Sequence, residues 1–296
     1  MYSFFLQIFA FNLLKLNNLK SGVILKRPSK ICKSPYVADI VDENGREVLG
    51  HTASLGCCGL ADAGAVVLME EKSKIKNNTV CDYKVQLSIF KEKDTEILIG
   101  INPKLAEDLL ESCIKYNYLN KLKNVRSWER ETKVNVPGKV NSRFDFTGID
   151  ENGIKFIMEV KNVPLADYED ITAKDRKKLS SNIYQNRAID SKVAYFPDGY
   201  RKASINPVSP RALKHIRELS LIRKESKFRC IMCYVIQRTD VNRFQPSVID
   251  PEYRSAVKEA IKSGVEIITL VVKWTKEGNA YFVKDDLPIT SFENSE

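Results

Sequence analysis

Over about residues 21–101 the apolar and polar positions form short runs with almost no helical periodicity, and this pattern predicts strands. The runs cover residues 37–41, 46–50, 65–69, 83–90 and 97–101. Turn residues separate them, and the Asp-Glu-Asn-Gly segment at 42–45 is typical of a type I′ hairpin turn. Several short strands in this length favour a small β-barrel of the OB-fold type over residues 21–101.

A helical pattern begins at residue 102. Asn102 and Pro103 suit the N-cap and the first position of a helix, and one apolar stripe follows them. The stripe consists of Leu105, Leu109, Leu110, Cys113 and Ile114. Residues 143–161 suit a β-hairpin, and Pro210 and Pro251 each follow an N-cap residue at the start of a further helix.

Strongly apolar runs at residues 228–237 and 265–274 predict buried strands between these helices. Strands that alternate with helices indicate a mixed sheet flanked by helices, so we expect an α+β or α/β domain over residues 102–296. The polar tail from Thr275 is expected to be peripheral.

Residues 1–20 are rich in Phe and Leu and contain no acidic residue. The apolar run is too short and too interrupted for a membrane span, so we expect no membrane association. An organellar leader, a disordered N-terminus and an N-terminus annexed to the fold all fit this composition.

Positive charge is concentrated in one part of the chain. The formal net charge is +9, and residues 199–229 contain nine Lys or Arg against Glu218 and Glu225. Such a field favours a nucleic acid partner, although a solvated helix face fits the charge alone equally well.

The seven cysteines are irregularly spaced, which is not typical of a disulfide framework. We therefore expect an intracellular reducing compartment, the cytoplasm or, if the N-terminus is a leader, the nucleus or an organelle. Cys230 and Cys233 lie in an apolar run, which favours core packing over a zinc or redox pair.

The hairpin at 143–161 carries the candidate chemistry. Because side chains alternate along a strand, Asp145 points to one face of its strand while Phe144 and Phe146 point to the other. On the next strand, Glu159 and Lys161 share one face. Two carboxylates and an amine meet the needs of phosphodiester hydrolysis with Mg²⁺ or Mn²⁺. The alternative is a weak solvated ion pair on the edge of a strand.

Seven short motifs between residues 142 and 253 resemble those of the sugar fermentation stimulation protein (SfsA) family in their order and spacing. They are SRFDF at 142–146, MEVKNV at 158–163, FPD at 196–198, KH at 214–215, VIQR at 235–238, FQP at 244–246 and DPEY at 250–253. The resemblance implies an OB-fold joined to a PD-(D/E)XK nuclease-like domain, DNA binding, and a role in regulating bacterial sugar catabolism.

The resemblance also implies roles for individual residues. Asp145 and Glu159 would be metal ligands and Lys161 the catalytic lysine, while Glu131 matches an acidic position that sometimes completes such a site. The chain departs from the family at Ser54, where the family has Asn, and in polar insertions at about 165–194 and 199–210, which we expect to be surface loops.

We expect nucleic acid contacts from basic residues of both domains. The candidates are Lys26, Arg27, His51, Arg211, Lys214, His215 and Arg238. Arg211, Lys214 and His215 lie near a helix start, where cations are disfavoured unless an anion binds. Arg238 follows an apolar strand. Its side chain could reach the rim of the cleft or simply cap the end of the strand, and the sequence favours neither.

Two functions are therefore open. The first is a DNA-binding protein with a metal-dependent nuclease site and mostly sequence-independent contacts, and the second is a DNA-binding or regulatory module that keeps the fold without turnover. RNA binding by the barrel is a third interpretation. A homodimer is compatible with the sequence.

Overall fold

The computed structural model describes residues 12–54, 57, 59–72, 80–176, 178–180, 182–197 and 207–290. The strands are β1 (Asn12–Lys15), β2 (Lys20–Lys26), β3 (Val37–Asp42), β4 (Glu47–His51), β5 (Val66–Glu71), β6 (Tyr83–Glu92), β7 (Thr95–Gly100), β8 (Ser127–Val136), β9 (Val140–Ile149), β10 (Lys155–Val163), β11 (Ala166–Asp167), β12 (Lys192–Phe196), β13 (Arg229–Ile236), β14 (Val241–Pro246), β15 (Glu266–Trp274) and β16 (Asn279–Lys284). The helices are α1 (Pro103–Lys115), α2 (Ala173–Arg176), α3 (Pro210–Glu225) and α4 (Pro251–Lys262), with a 3₁₀ turn at Ile189–Ser191.

The N-terminal strands form a ring. β2 pairs antiparallel with β3 and β5, β3 pairs with β4, and β5 pairs with β6. A short parallel contact between β4 and β6 closes the ring, as in an OB-fold. Fully buried apolar side chains fill it, among them Ile24, Ile40, Met69, Val85 and Ile99. The predicted barrel is confirmed.

The larger sheet has the order β1-β16-β15-β13-β10-β9-β8. Its centre, β10-β13-β15, is parallel, and the flanking pairs are antiparallel. Side chains of α1 pack in the core on one face, and those of α3 and α4 pack in the core on the other. The predicted mixed sheet flanked by helices is therefore confirmed.

Each of these three long helices begins as its sequence predicts. Asn102, Ser209 and Asp250 accept a hydrogen bond from the first turn of α1, α3 and α4, and a proline follows each cap. Among the described residues, no helix is long and apolar enough to cross a membrane.

Both ends of the described chain join the larger sheet. Residues 12–16 are annexed to the fold, which was one of the alternatives, because β1 pairs with β16 and Leu13 and Leu16 are buried in the core. Residues 1–11 lie outside the described residues. The tail after Thr275 is not peripheral, since β16 lies between β1 and β15 and Ala280 is fully buried.

The insertion at 165–194 is only partly a surface loop. Its ends form β11 and β12, which join β14 in a small third sheet. Asp170 is buried and accepts hydrogen bonds from Gln245, Ser247 and the backbone N–H of Val248, which ties the segment to the domain. Of the insertion at 199–210, residues 199–206 lie outside the described residues.

Cys230 and Cys233 are completely buried in the core, as predicted. They stand three residues apart on β13, so their side chains lie in the two cores on opposite faces of the sheet. This placement rules out a shared metal ion.

Candidate active site

The site begins where β9 and β10 separate. The two strands pair from Ile149 and Lys155 as far as Phe146 and Met158, and the ladder then stops. In its place, Asp145 Oδ2 accepts a hydrogen bond of 2.6 Å from the backbone N–H of Val160. The carboxylate thus takes over the position of a strand carbonyl, which holds Asp145 beside the residues that follow Met158.

Glu159 projects from β10 toward α3, on the face opposite Phe156, Met158 and Val160. It is 1% exposed, and its Oε1 is hydrogen-bonded to Lys161 Nζ and to His215 Nδ1. Its Oε2 has no hydrogen-bond partner within the part of the chain that the structure describes. A buried carboxylate oxygen without a partner is costly, so this oxygen is available to a cation.

Electrostatics distinguish the two carboxyl groups. Burial, together with the neighbouring Glu159 carboxylate, raises the pKa of Asp145 to about 7. Burial also opposes ionisation of Glu159, but Lys161 and His215 outweigh it and hold the pKa of Glu159 below its ordinary value. A divalent cation would let both groups ionise together.

Two further acids lie beside Asp145. Carboxylate oxygens of Glu107, Glu131 and Asp145 all lie within 4.8 Å of one another. Glu131 was expected near the site, whereas Glu107 was missed because it is a polar position on α1, and only the packing of α1 near β8 and β9 brings it there. Arg130 also binds Glu107, with a nitrogen–oxygen distance of 2.9 Å.

These groups open into a cleft of about 530 Å³ between the barrel and the larger sheet. Its lining includes Glu107, Asp145, Glu159 and Lys161 from the sheet side, Tyr36, Ala53 and Ser54 from the barrel, and Arg211 from the start of α3. The structure therefore places the three residues predicted from the hairpin in one cleft, together with a helix start that carries an exposed arginine.

The basic residues expected to contact nucleic acid divide into two groups. Lys26, Arg211 and Lys214 are exposed, and Lys214 donates to Ser142 Oγ at 2.8 Å. His51 is half-buried at the end of β4, and burial together with Lys72 and Lys84 lowers its pKa.

Three other side chains expected to contact nucleic acid make their contacts within the protein. The Arg27 side chain is 4% exposed and donates to Ser54 O at 2.9 Å. Arg238 is buried, and its guanidinium donates to Asp240 and to Pro164 O. His215 is buried against Phe144 and bonded to Glu159, so it acts behind the site.

Comparison with known proteins agrees with this architecture. A model of the sugar fermentation stimulation protein RE domain matches residues 185–278. A sugar fermentation stimulation protein homolog from Shewanella sediminis is 27% identical over 263 residues, which is 88% of this chain and 93% of the relative. A homolog from Prochlorococcus marinus is 29% identical over 264 residues, with 88% and 92% covered.

A solved structure shares the fold over nearly the whole chain. The structure of Pyrococcus furiosus SfsA in complex with Ca²⁺ superposes with a TM-score of 0.71 at 19% identity, covering 95% of this chain and 100% of that chain. With these matches on both sequence and fold, the chain is similar to the sugar fermentation stimulation proteins over most of its length.

Proposed function

We propose that this protein binds DNA and hydrolyses its phosphodiester bonds with a divalent metal ion held at the cleft between the barrel and the larger sheet. The observation that carries the proposal is the buried Oε2 of Glu159, which has no hydrogen-bond partner among the described residues and lies beside Asp145, whose pKa is raised to about 7. An Asp on one strand and Glu-x-Lys on the next is the pattern of PD-(D/E)XK nucleases.

Asp145 and Glu159 would hold the ion, with Glu107 and Glu131 near enough to Asp145 to bind its waters or a second ion. Oxygen ligands of this kind suit Mg²⁺ or Mn²⁺, and the name of the Pyrococcus furiosus structure describes that protein as a Ca²⁺ complex. When bound, such an ion stabilises charge on the phosphate and lowers the pKa of its water.

The chain's own residues supply the remaining functions. Lys161 donates to Glu159, which keeps that carboxylate ionised, and its ammonium lines the cleft where a phosphate would lie. Arg211 stands at the N-terminus of α3, where the helix dipole and the side chain both favour an anion. The net charge of +9 supports binding to a polyanion.

The test is a cleavage assay with Mg²⁺ or Mn²⁺ on single-stranded, duplex and branched DNA. Asp145→Ala and Lys161→Ala are expected to reduce the cleavage rate by at least about 100-fold, since each removes a group that acts on the reacting phosphate. Lys155→Ala is the matched control, because Lys155 is an exposed lysine on the same strand outside the cleft.

Circular dichroism and thermal unfolding must show that all three variants fold. Intact substrate after long incubation with wild-type protein at high concentration and either metal would reject the nuclease. Salt-dependent DNA binding without cleavage would then identify a binding module that keeps the fold without turnover.

A further inference from the structure

The barrel side of the cleft is held in place by hydrogen bonds, although no residue of it takes part in the proposed chemistry. Tyr36, Ala53 and Ser54 form this barrel wall. Tyr36 O accepts a hydrogen bond of 2.8 Å from Thr52 N–H, and Arg27 donates to Ser54 O. The two loops that form the wall are therefore fastened to each other and to the barrel.

The loop that carries Tyr36, residues 27–36, is also fixed at its base. Buried Asp39 accepts hydrogen bonds from Ser29 Oγ at 2.5 Å and from Lys30 N–H at 2.9 Å. The loop contains no acidic residue, and Lys30 and Lys33 are exposed on it. It is an ordered, positively charged edge beside the carboxylates of the site.

Tyr36 is 42% exposed, whereas Tyr195, which lines the same cleft, is 6% exposed. The exposed ring lies on a loop that also carries Lys30 and Lys33, and it lines the cleft where the proposed function places a phosphate. OB-folds hold single strands by stacking bases on such exposed rings.

The cleft has room for an unpaired nucleotide. Its volume of about 530 Å³ falls within the range of small-molecule pockets, roughly 300–1,000 Å³. Tyr36 lines it from the barrel, and Asp145 and Glu159 line it from the sheet side, so one unpaired strand in the cleft would meet the ring and the carboxylates together.

We infer that the substrate is single-stranded DNA, and that one unpaired base stacks on Tyr36 while a neighbouring phosphate lies over the carboxylates. This inference rests on the proposed function for the identity of the polymer. It adds the form of the substrate and a residue that recognises it.

The test is equilibrium binding of end-labelled single-stranded and duplex oligonucleotides to the full chain in EDTA, which prevents turnover. Tyr36→Ala is expected to weaken single-strand binding by about 5- to 100-fold, corresponding to stacking of about 1–3 kcal/mol per base. Tyr36→Phe keeps the ring and should bind within about twofold of wild type. Duplex binding should be equal in all three proteins.

Tyr116→Ala is the matched control, because Tyr116 is 51% exposed and lies at the end of α1 outside the cleft. It should bind single strands as wild type does. Single-strand affinity that is unchanged in Tyr36→Ala, or an equal loss on single strand and duplex, would overturn the inference.

The outcomes also separate this inference from the proposed function. Cleavage that persists with unchanged affinity in Tyr36→Ala removes only the stacking role. Single-strand binding that depends on Tyr36, without any metal-dependent cleavage, supports the binding mode and rejects hydrolysis. Wild-type protein that binds neither oligonucleotide rejects both proposals.

Discussion

His215, together with Lys161, determines which oxygen of Glu159 is left without a hydrogen-bond partner among the described residues. The imidazole is buried against Phe144, and its Nδ1 and Lys161 Nζ are both bonded to Glu159 Oε1, which leaves Oε2 for a cation. Hydrogen bonds to a metal ligand from groups behind it fix its orientation and raise metal affinity.

Replacing His215 should therefore weaken metal binding without removing a ligand. His215→Ala is expected to weaken Ca²⁺ binding by about 10- to 100-fold, the usual cost of losing such a partner. His215→Asn keeps a donor near the position of Nδ1 and should recover most of that affinity. Titration calorimetry of the DNA-free protein measures both, and wild-type affinity in His215→Ala would contradict the role.

The raised pKa of Asp145 predicts that metal binding releases a proton. Because burial and Glu159 raise its pKa to about 7, the metal-free carboxyl is mostly protonated at pH 6 and mostly ionised at pH 8.5. An ion must displace that proton, so metal affinity should rise about tenfold per pH unit below the pKa and level off above it. Calorimetry in buffers of different ionisation enthalpy should show nearly one proton released at pH 6 and almost none at pH 8.5.

Asp145→Asn supplies the control for this proton. It removes the titration, so proton release should disappear. The raised pKa also means that metal-free wild-type protein loses stability as the pH rises from about 4 to about 7, because the unfolded carboxyl ionises at the lower value. Asp145→Asn should accordingly raise Tm at pH 8 more than at pH 4, and equal shifts at both values would contradict the assignment.

Local chemistry explains which residues of the site were predictable. Alternation along one strand put Glu159 and Lys161 on a common face, whereas Glu107 comes from a helix and reaches Asp145 only through tertiary packing. The turn at 42–45 was located correctly but not its type. A type I′ turn needs a positive φ at both central residues, whereas within this turn only Gly45 has one, of 78°. The Asp42 side chain accepts hydrogen bonds from the backbone N–H groups of Asn44 and Arg46.

At the scale of elements, α3 brings positive charge to the cleft. Arg211 lies in its first turn, and its exposed side chain lines the cleft with no ion pair to an acidic residue in the described part of the chain. A bound phosphate would relieve the unfavourable position of a cation at a helix N-terminus. The helix was predictable because Ser209 and Pro210 mark its start within the local sequence.

Arg211→Ala should weaken DNA binding and reduce its salt dependence. One lost phosphate contact lowers the slope of log K against log salt by about one unit. Lys258→Ala is the control, since Lys258 is exposed on α4 outside the cleft and should leave the slope unchanged. Binding isotherms at several salt concentrations measure these slopes. Equal slopes for wild type and Arg211→Ala would exclude a phosphate contact at Arg211.

The terminal strands show what local patterns cannot reveal. β1 has four residues and pairs with β16, more than 260 positions away, so its apolar residues were indistinguishable from those of a leader. The burial of Leu13 and Leu16 could not be predicted locally, because it depends on a strand from the far end of the chain. The caps and apolar stripe of α1 needed no such partner.

At the scale of the whole molecule, a polar cluster joins the barrel to the larger sheet. Gly100, the last residue of β7, donates its N–H to Gln237 O at 3.1 Å. The Gln237 side chain donates to Asn162 Oδ1 and accepts from Trp274 Nε1, at 2.8 and 2.9 Å. Since Asn162 follows Lys161 directly, this cluster fixes the barrel relative to β10 and the candidate site.

The cluster leaves no room for a side chain at position 100. A Cβ on Gly100 would lie 1.8 Å from Gln237 Oε1 and 2.8 Å from Trp274 Nε1. Gly100→Ala should therefore displace Gln237, break its hydrogen bonds and cost about 1–3 kcal/mol of unfolding free energy. Because the two walls of the cleft would shift relative to each other, DNA affinity should fall as well.

A double-mutant cycle separates the collision from a general loss of packing. Gln237→Ala alone should destabilise the protein because Asn162 and Trp274 lose a buried partner. Combined with Gly100→Ala it should cost less than the sum of the two, since the atoms that collide have been removed. Denaturant unfolding of the four proteins measures the coupling, and strictly additive costs would show that the barrel moves away as a body while Gln237 keeps its position.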